Sequence, residues 1–193
     1  MRVIAGSLKG RTIAAPKGRS TRPTSDRVRE ALFSSLVSHL GSDLGSARVL
    51  DAFAGSGALG IEALSRGAEH ATFVERDSAS ARTLRANVEL LDVQAVSTVV
   101  VADITSLARR GSVPGAPFSL LFADPPYRID EAEVRGLVDM LAAADCLKAG
   151  AVIVWEHDAN TPVTWPECVR GLSERRYGST TVSIGEYARG TKA

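Results

Sequence analysis

Two short segments of this chain hold residue types at spacings that could do chemistry. The first is Asp51-Ala52-Phe53-Ala54-Gly55-Ser56-Gly57-Ala58-Leu59-Gly60, a GxGxxG pattern between an apolar run and a helical pattern. Glycines there permit a tight turn and let a ligand approach the backbone, with a helix N-terminus aimed at it. Nicotinamide enzymes and methyltransferases share that pattern. Asp51 argues for the second class, because its carboxylate repels a pyrophosphate but attracts the ammonium of S-adenosylmethionine's methionyl part. The second segment is Asp124-Pro125-Pro126-Tyr127. Two consecutive prolines fix φ and remove two N–H donors, so the local carbonyls can only accept. A carboxylate and a rigidly aimed carbonyl can together hold the exocyclic amine of a nucleobase. Accepting both of its protons favours the pyramidal geometry that an in-line attack on a methyl group needs. Tyr127 can stack on the base.

These residues must be positioned by regular elements, and the patterns supply them. Arg2–Ala5 and Arg11–Ala14 flank a Gly-containing loop and read as a hairpin. A helix is expected over residues 26–40 with Thr24 or Ser25 as its cap, and Val28, Ala31, Leu32, Ser35, Leu36 and Leu40 on one stripe. Strands are expected at 47–53, 70–74, 96–102, 119–123 and 151–155, with helical patterns between them. That alternation implies an α/β fold with a mostly parallel sheet covered by helices on both faces. Leu172–Tyr177 and Thr180–Ile184 around Gly178-Ser179 break the alternation and read as an antiparallel C-terminal hairpin. Asp51, Glu75, Asp103, Asp124 and Glu156 each fall at or just past a strand's carboxyl end, the edge where open α/β sheets bind ligands. A single such acid is explained by helix capping; five are not. Glu75 can grip a ribose diol in either enzyme class.

Composition limits the alternatives. The chain has 193 residues, 45% of them hydrophobic, and a formal net charge of +1, which excludes dominant disorder. No apolar run is long enough to cross a membrane as a helix, and the basic start lacks the apolar core of a secretory signal. Cys146 and Cys168 stand apart and the three histidines are scattered, so a metal or a disulfide framework is not expected and a reduced, cytoplasmic setting is. The charge is unevenly distributed. Residues 1–30 hold eight basic side chains against Asp26 and Glu30, and no acid precedes Asp26. Such an arm suits a phosphate-bearing partner, with Arg2, Lys9, Arg11, Lys17, Arg19 and Arg22 as candidate RNA contacts. The expected organisation is therefore a basic β-hairpin extension at 1–20, projecting from the ligand edge, and a catalytic domain at 21–193.

Arg2–Arg11 (RVIAG-x-x-x-GR), Arg22–Phe33 (RPTSDRVREALF), Asp51–Ala68, Val74–Asp77 (VERD) and Asp124–Tyr127 together resemble the RsmD-type methyltransferases of 16S ribosomal RNA. The resemblance implies a class I methyltransferase, Rossmann-like sheet and transfer from S-adenosylmethionine to a guanine 2-amino group. It implies a partner in 16S rRNA, within the small ribosomal subunit or an assembly intermediate, and a monomeric protein. Gly55, Ser56 and Gly57 would border the cofactor, Glu75 would hold its ribose and Asp103 would face its adenine. Asp124, Pro125, Pro126 and Tyr127 would form the base pocket. Arg22 and Thr24 match a segment near the methionyl end and the target base. An adenine-N6 methyltransferase, a nicotinamide oxidoreductase and a non-catalytic RNA-binding assembly factor are the alternatives. The intact Asp-Pro-Pro-Tyr argues against the last two, and the match at 22–33 against the first.

Overall fold

A computed structural model describes residues 1–15, 26–40, 44–126 and 129–188. The elements are α1 (Asp26–Leu40), β1 (Arg48–Asp51), α2 (Ala58–Ser65), β2 (His70–Val74), α3 (Ser78–Leu90), β3 (Ser97–Val100), α4 (Ile104–Arg109), β4 (Phe118–Ala123), α5 (Glu131–Ala143), β5 (Leu147–Asp158), β6 (Val169–Tyr177) and β7 (Thr180–Tyr187). The strands form one sheet in the order β3-β2-β1-β4-β5-β7-β6. β1 to β5 run parallel, and β7 enters antiparallel between β5 and β6. This is the expected class I methyltransferase architecture, although β5 extends well beyond the expected 151–155 at both ends. Thr24 and Ser25, the expected caps of α1, lie outside the described residues.

Each face of the sheet has its own core. One contains Leu32, Phe33 and Leu36 of α1, Ile61 of α2 and Leu84 of α3, packed on Val49, Phe73 and Phe122. The other contains Leu107 of α4 and Leu137, Val138 and Leu141 of α5, packed on Leu50, Leu121 and Ile153. The continuous apolar character of the central strands follows from being covered on both sides.

The N-terminal residues correct one expectation. They do form a tight antiparallel turn, bridged at Arg2 and Thr12. They do not project: Val3 and Ile13 are 1% exposed and belong to the first core. Polar anchors hold the same segment. The buried Glu62 carboxylate accepts from Ile4 N at 2.7 Å, Ala5 N at 3.1 Å and Arg66 Nε at 2.8 Å. Arg29 of α1, also buried, donates to the Arg2 carbonyl at 2.6 Å and to Asp26 at 2.9 Å. Burial lowers the Arg29 pKa, and Asp26 and then Glu62 oppose that shift. Among the described residues Arg29 Nε is left without a partner, and the remaining bonds fix the segment's register on α1 and α2.

Candidate active site

The carboxyl edge of the sheet opens into a cleft of about 890 Å³. Asp51, Glu75, Asp103, Asp124 and Glu156 all line it, as do Gly55, Ser56, Pro125 and Pro126. The strand register explains the convergence. Asp51 ends β1 opposite Phe73 and Phe122, while Ala123 pairs with Trp155, so Asp124 and Glu156 follow side by side.

Within the glycine turn the three glycines serve different ends. Gly55 has φ +55° and no atom within 4 Å of where a Cβ would sit, which leaves its backbone open to the cleft. Gly57 combines φ +85° with close packing, since a Cβ there would lie 2.3 Å from Leu84 Cδ1. At Gly60 a Cβ would lie 2.3 Å from the Phe73 ring, so this glycine sets the approach of α2 to the sheet. The turn is pinned by carboxylates. Glu75 accepts from Gly55 N at 2.8 Å and Asp77 N at 2.7 Å, and Asp51 accepts from Gly60 N at 3.0 Å.

The acids differ in what they already do. Asp103 caps α4, accepting from Ser106 N at 2.9 Å, so the simple capping explanation holds for it even though it faces the cleft. Asp77, not Glu75, caps α3. Asp130 caps α5 through a capping box with Glu133, which leaves Asp124 free of that duty. Among the described residues no hydrogen bond reaches the Asp124 carboxylate. Burial, reinforced by Glu156 and then Asp51, raises its pKa well above the usual carboxylate range. The Asp51 pKa is pushed up to about 7, chiefly by burial, with the Gly60 N–H opposing and Glu75 adding to the rise. A cation in the cleft would relieve both.

Pro125 and Pro126 follow Asp124 at the cleft wall, whereas Tyr127 lies outside the described residues. Lys17, Arg19, Arg22 and Thr24 lie outside them too. Arg2 is paired with Asp26 at 3.2 Å but remains mostly exposed, Lys9 is exposed, and the exposed Arg11 donates to the Leu90 carbonyl at 2.7 Å. Sequence reasoning assigned no role to Arg29, His157 or Trp155, which also line the cleft. Arg29 sits in a helix whose apolar stripe gives no sign of a buried guanidinium. Asn87, buried on α3 against the turn, was missed for the same reason.

Comparison with known proteins agrees with this geometry. A family model described as "Conserved hypothetical protein 95" matches residues 1–186. The chain belongs to that family, the RsmD family of methyltransferases. Within it, the "Putative rRNA methyltransferase YlbH" of Bacillus subtilis is 40% identical over 187 residues, covering 95% of this chain and 97% of its own. The "Ribosomal RNA small subunit methyltransferase D" of Haemophilus influenzae is 34% identical over 180 residues, covering 92% and 89%. Among solved structures, the "Putative methyltransferase yhhF from Escherichia coli" superposes with a TM-score of 0.83 at 31% identity over 98% of both chains. Among the described residues no helix is long and apolar enough to cross a membrane, and no cluster of His, Cys, Asp and Glu could hold a metal ion.

Proposed function

We propose that this protein methylates the exocyclic 2-amino group of a guanine in small-subunit ribosomal RNA, using S-adenosylmethionine. The observation that carries the reading is the Asp124 carboxylate: it has no donor among the described residues, stands beside two prolines and shares a cleft with the glycine turn. The Haemophilus influenzae relative, named as a ribosomal RNA small subunit methyltransferase, supports the substrate class.

The residues present fit the cofactor. A buried carboxylate whose pKa is pushed up to about 7 suits a cationic ligand, and the open backbone at Gly55 leaves room for close approach. When bound, S-adenosylmethionine supplies a methyl group on a sulfonium, with a neutral thioether as leaving group. Asp51 would neutralise the methionyl ammonium, Gly55, Ser56 and Gly57 would border the cofactor, Glu75 would accept from the ribose hydroxyls and Asp103 would face the adenine. Asp124 and the carbonyls of the Pro125-Pro126 segment accept the two N–H bonds of the guanine amine and aim its lone pair at the methyl group. Tyr127 stacks on the base. Once the N–C bond has formed, the nitrogen is cationic and sheds one proton, for which Asp124 is the nearest acceptor.

Arg2, Lys9, Arg11, Lys17, Arg19 and Arg22 contribute phosphate contacts. Phosphate contacts offset the few kcal/mol that unstacking a base costs. A cytoplasmic monomer acting on the subunit or its assembly intermediate is the matching setting. The test is incubation with labelled S-adenosylmethionine and small-subunit particles from cells lacking the protein, followed by mapping of the modified nucleotide. Label on guanine N2 is expected. Label on adenine N6 would favour the alternative amine, and no label on any rRNA would overturn the reading.

A further inference from the structure

Asn87 is 1% exposed and sits on α3, behind the glycine turn. Its amide is fully used. Oδ1 accepts from Ala14 N at 2.9 Å, and the two Nδ2 hydrogens go to the Ala14 carbonyl at 3.0 Å and the Ser56 carbonyl at 2.9 Å. One side chain thus clamps both backbone groups of Ala14 and one carbonyl of the cofactor turn. Ala14 lies where the N-terminal hairpin ends, and the next residue, Ala15, lines the cleft. The sequence that follows carries Lys17, Arg19 and Arg22. A second contact between the two regions, Ser56 Oγ to Met1 Sδ at 3.9 Å, ends on a thioether, a weak acceptor.

We propose that Asn87 is a positioning residue that couples RNA binding on the basic arm to cofactor binding at the glycine turn. The inference rests on the function proposed above. A ligand that fixes either the turn or the arm fixes the amide both share, so the second ligand has less left to order. No other residue type does the same work. Aspartate keeps the acceptor for Ala14 N but sets a second oxygen against two carbonyls, and alanine removes all three bonds.

The test measures S-adenosylhomocysteine affinity by calorimetry with and without unmodified small-subunit particles, for wild type, Asn87→Ala and Asn87→Asp. In the wild type the particle should tighten the cofactor product by at least about 5-fold, the low end of allosteric coupling. In both variants that ratio should fall towards one, with a loss of kcat larger than the change in either affinity. A variant that weakens both ligands yet keeps the wild-type ratio has only a structural role, and that result overturns the proposal. A wild-type measurement guards against variants that fail to fold. S-adenosylhomocysteine alone should slow amide exchange in residues 13–15; unchanged exchange there also overturns it. If the wild type binds S-adenosylhomocysteine but labels no rRNA, the functional reading fails instead, and the exchange experiment still reports on the Asn87 linkage.

Discussion

At the carboxyl ends of β1 and β2, the carboxylates of Asp51 and Glu75 already have backbone donors from the turn they brace. Just past the end of β4, Asp124 is half-buried yet has no donor among the described residues, with Glu156 on the neighbouring strand β5. The first half of the edge is therefore assembled before any ligand arrives. The second half leaves a polar group unsatisfied until a ligand brings N–H bonds to it. An acceptor partly withdrawn from water and left unpaired is costly in a fold and useful in a site, because the ligand that pairs it gains what the fold gave up.

The contrast breaks outright if Asp124→Ala still turns over. Expected is a loss of about 10²- to 10⁴-fold in single-turnover methyl transfer, the range for a positioned proton acceptor, with S-adenosylhomocysteine affinity nearly unchanged in calorimetry. On the other half, the hairpin beneath the glycine turn should behave as core. Ile13→Ala should lower stability by about 2–5 kcal/mol in urea denaturation, whereas a freely projecting arm would lose almost nothing. Glu75→Ala should weaken S-adenosylhomocysteine by about 1.5–3 kcal/mol, since charge-assisted hydrogen bonds to the ribose and the brace on Gly55 go together. Unchanged affinity would leave Glu75 a structural brace only.

The smallest effect, taken per pH unit, concerns Asp51. Its folded-state pKa of about 7 exceeds the ordinary 3.8, so between those values the folded protein holds a proton that the unfolded chain has released. The contribution of Asp51 to the stability of the ligand-free protein should therefore be fully present below about pH 4, be lost as pH rises towards 7 and level off above it. Affinity for the cationic cofactor should move the other way, rising with pH towards 7 as the carboxylate ionises. The change stays within about 1.4 kcal/mol per pH unit for one titrating group. Asp51→Asn should remove this contribution from both profiles, in thermal denaturation and in binding.

Much of the fold was legible because period and punctuation agreed. α1 falls on 26–40 and β2 on 70–74, as expected, and the five strand-end acids do meet at one cleft. What stayed hidden was polar and buried. Glu62, Arg29 and Asn87 look like surface residues in a helical pattern, and only tertiary partners separated by tens of residues show otherwise. The hairpin's attachment was misread for the same reason: its high basic content masked Val3 and Ile13 as core residues. Asp103 shows that the two explanations are not exclusive, since it lines the cleft and also caps α4.

The place of β7 bears on how the molecule is made. Its residues, Thr180–Tyr187, come last among the strands in synthesis, yet they lie inside the sheet between β5 and β6. Until they emerge from the ribosome, β5 has one unpaired edge and β6 has no neighbour, and open edges invite pairing with other chains. A nascent chain arrested before residue 180 should thus be prone to aggregation, and the sheet can close only once residues 180–187 are free to pair. On the function proposed for it, this protein would complete its sheet only after β7 has cleared one ribosome, before it can act on another.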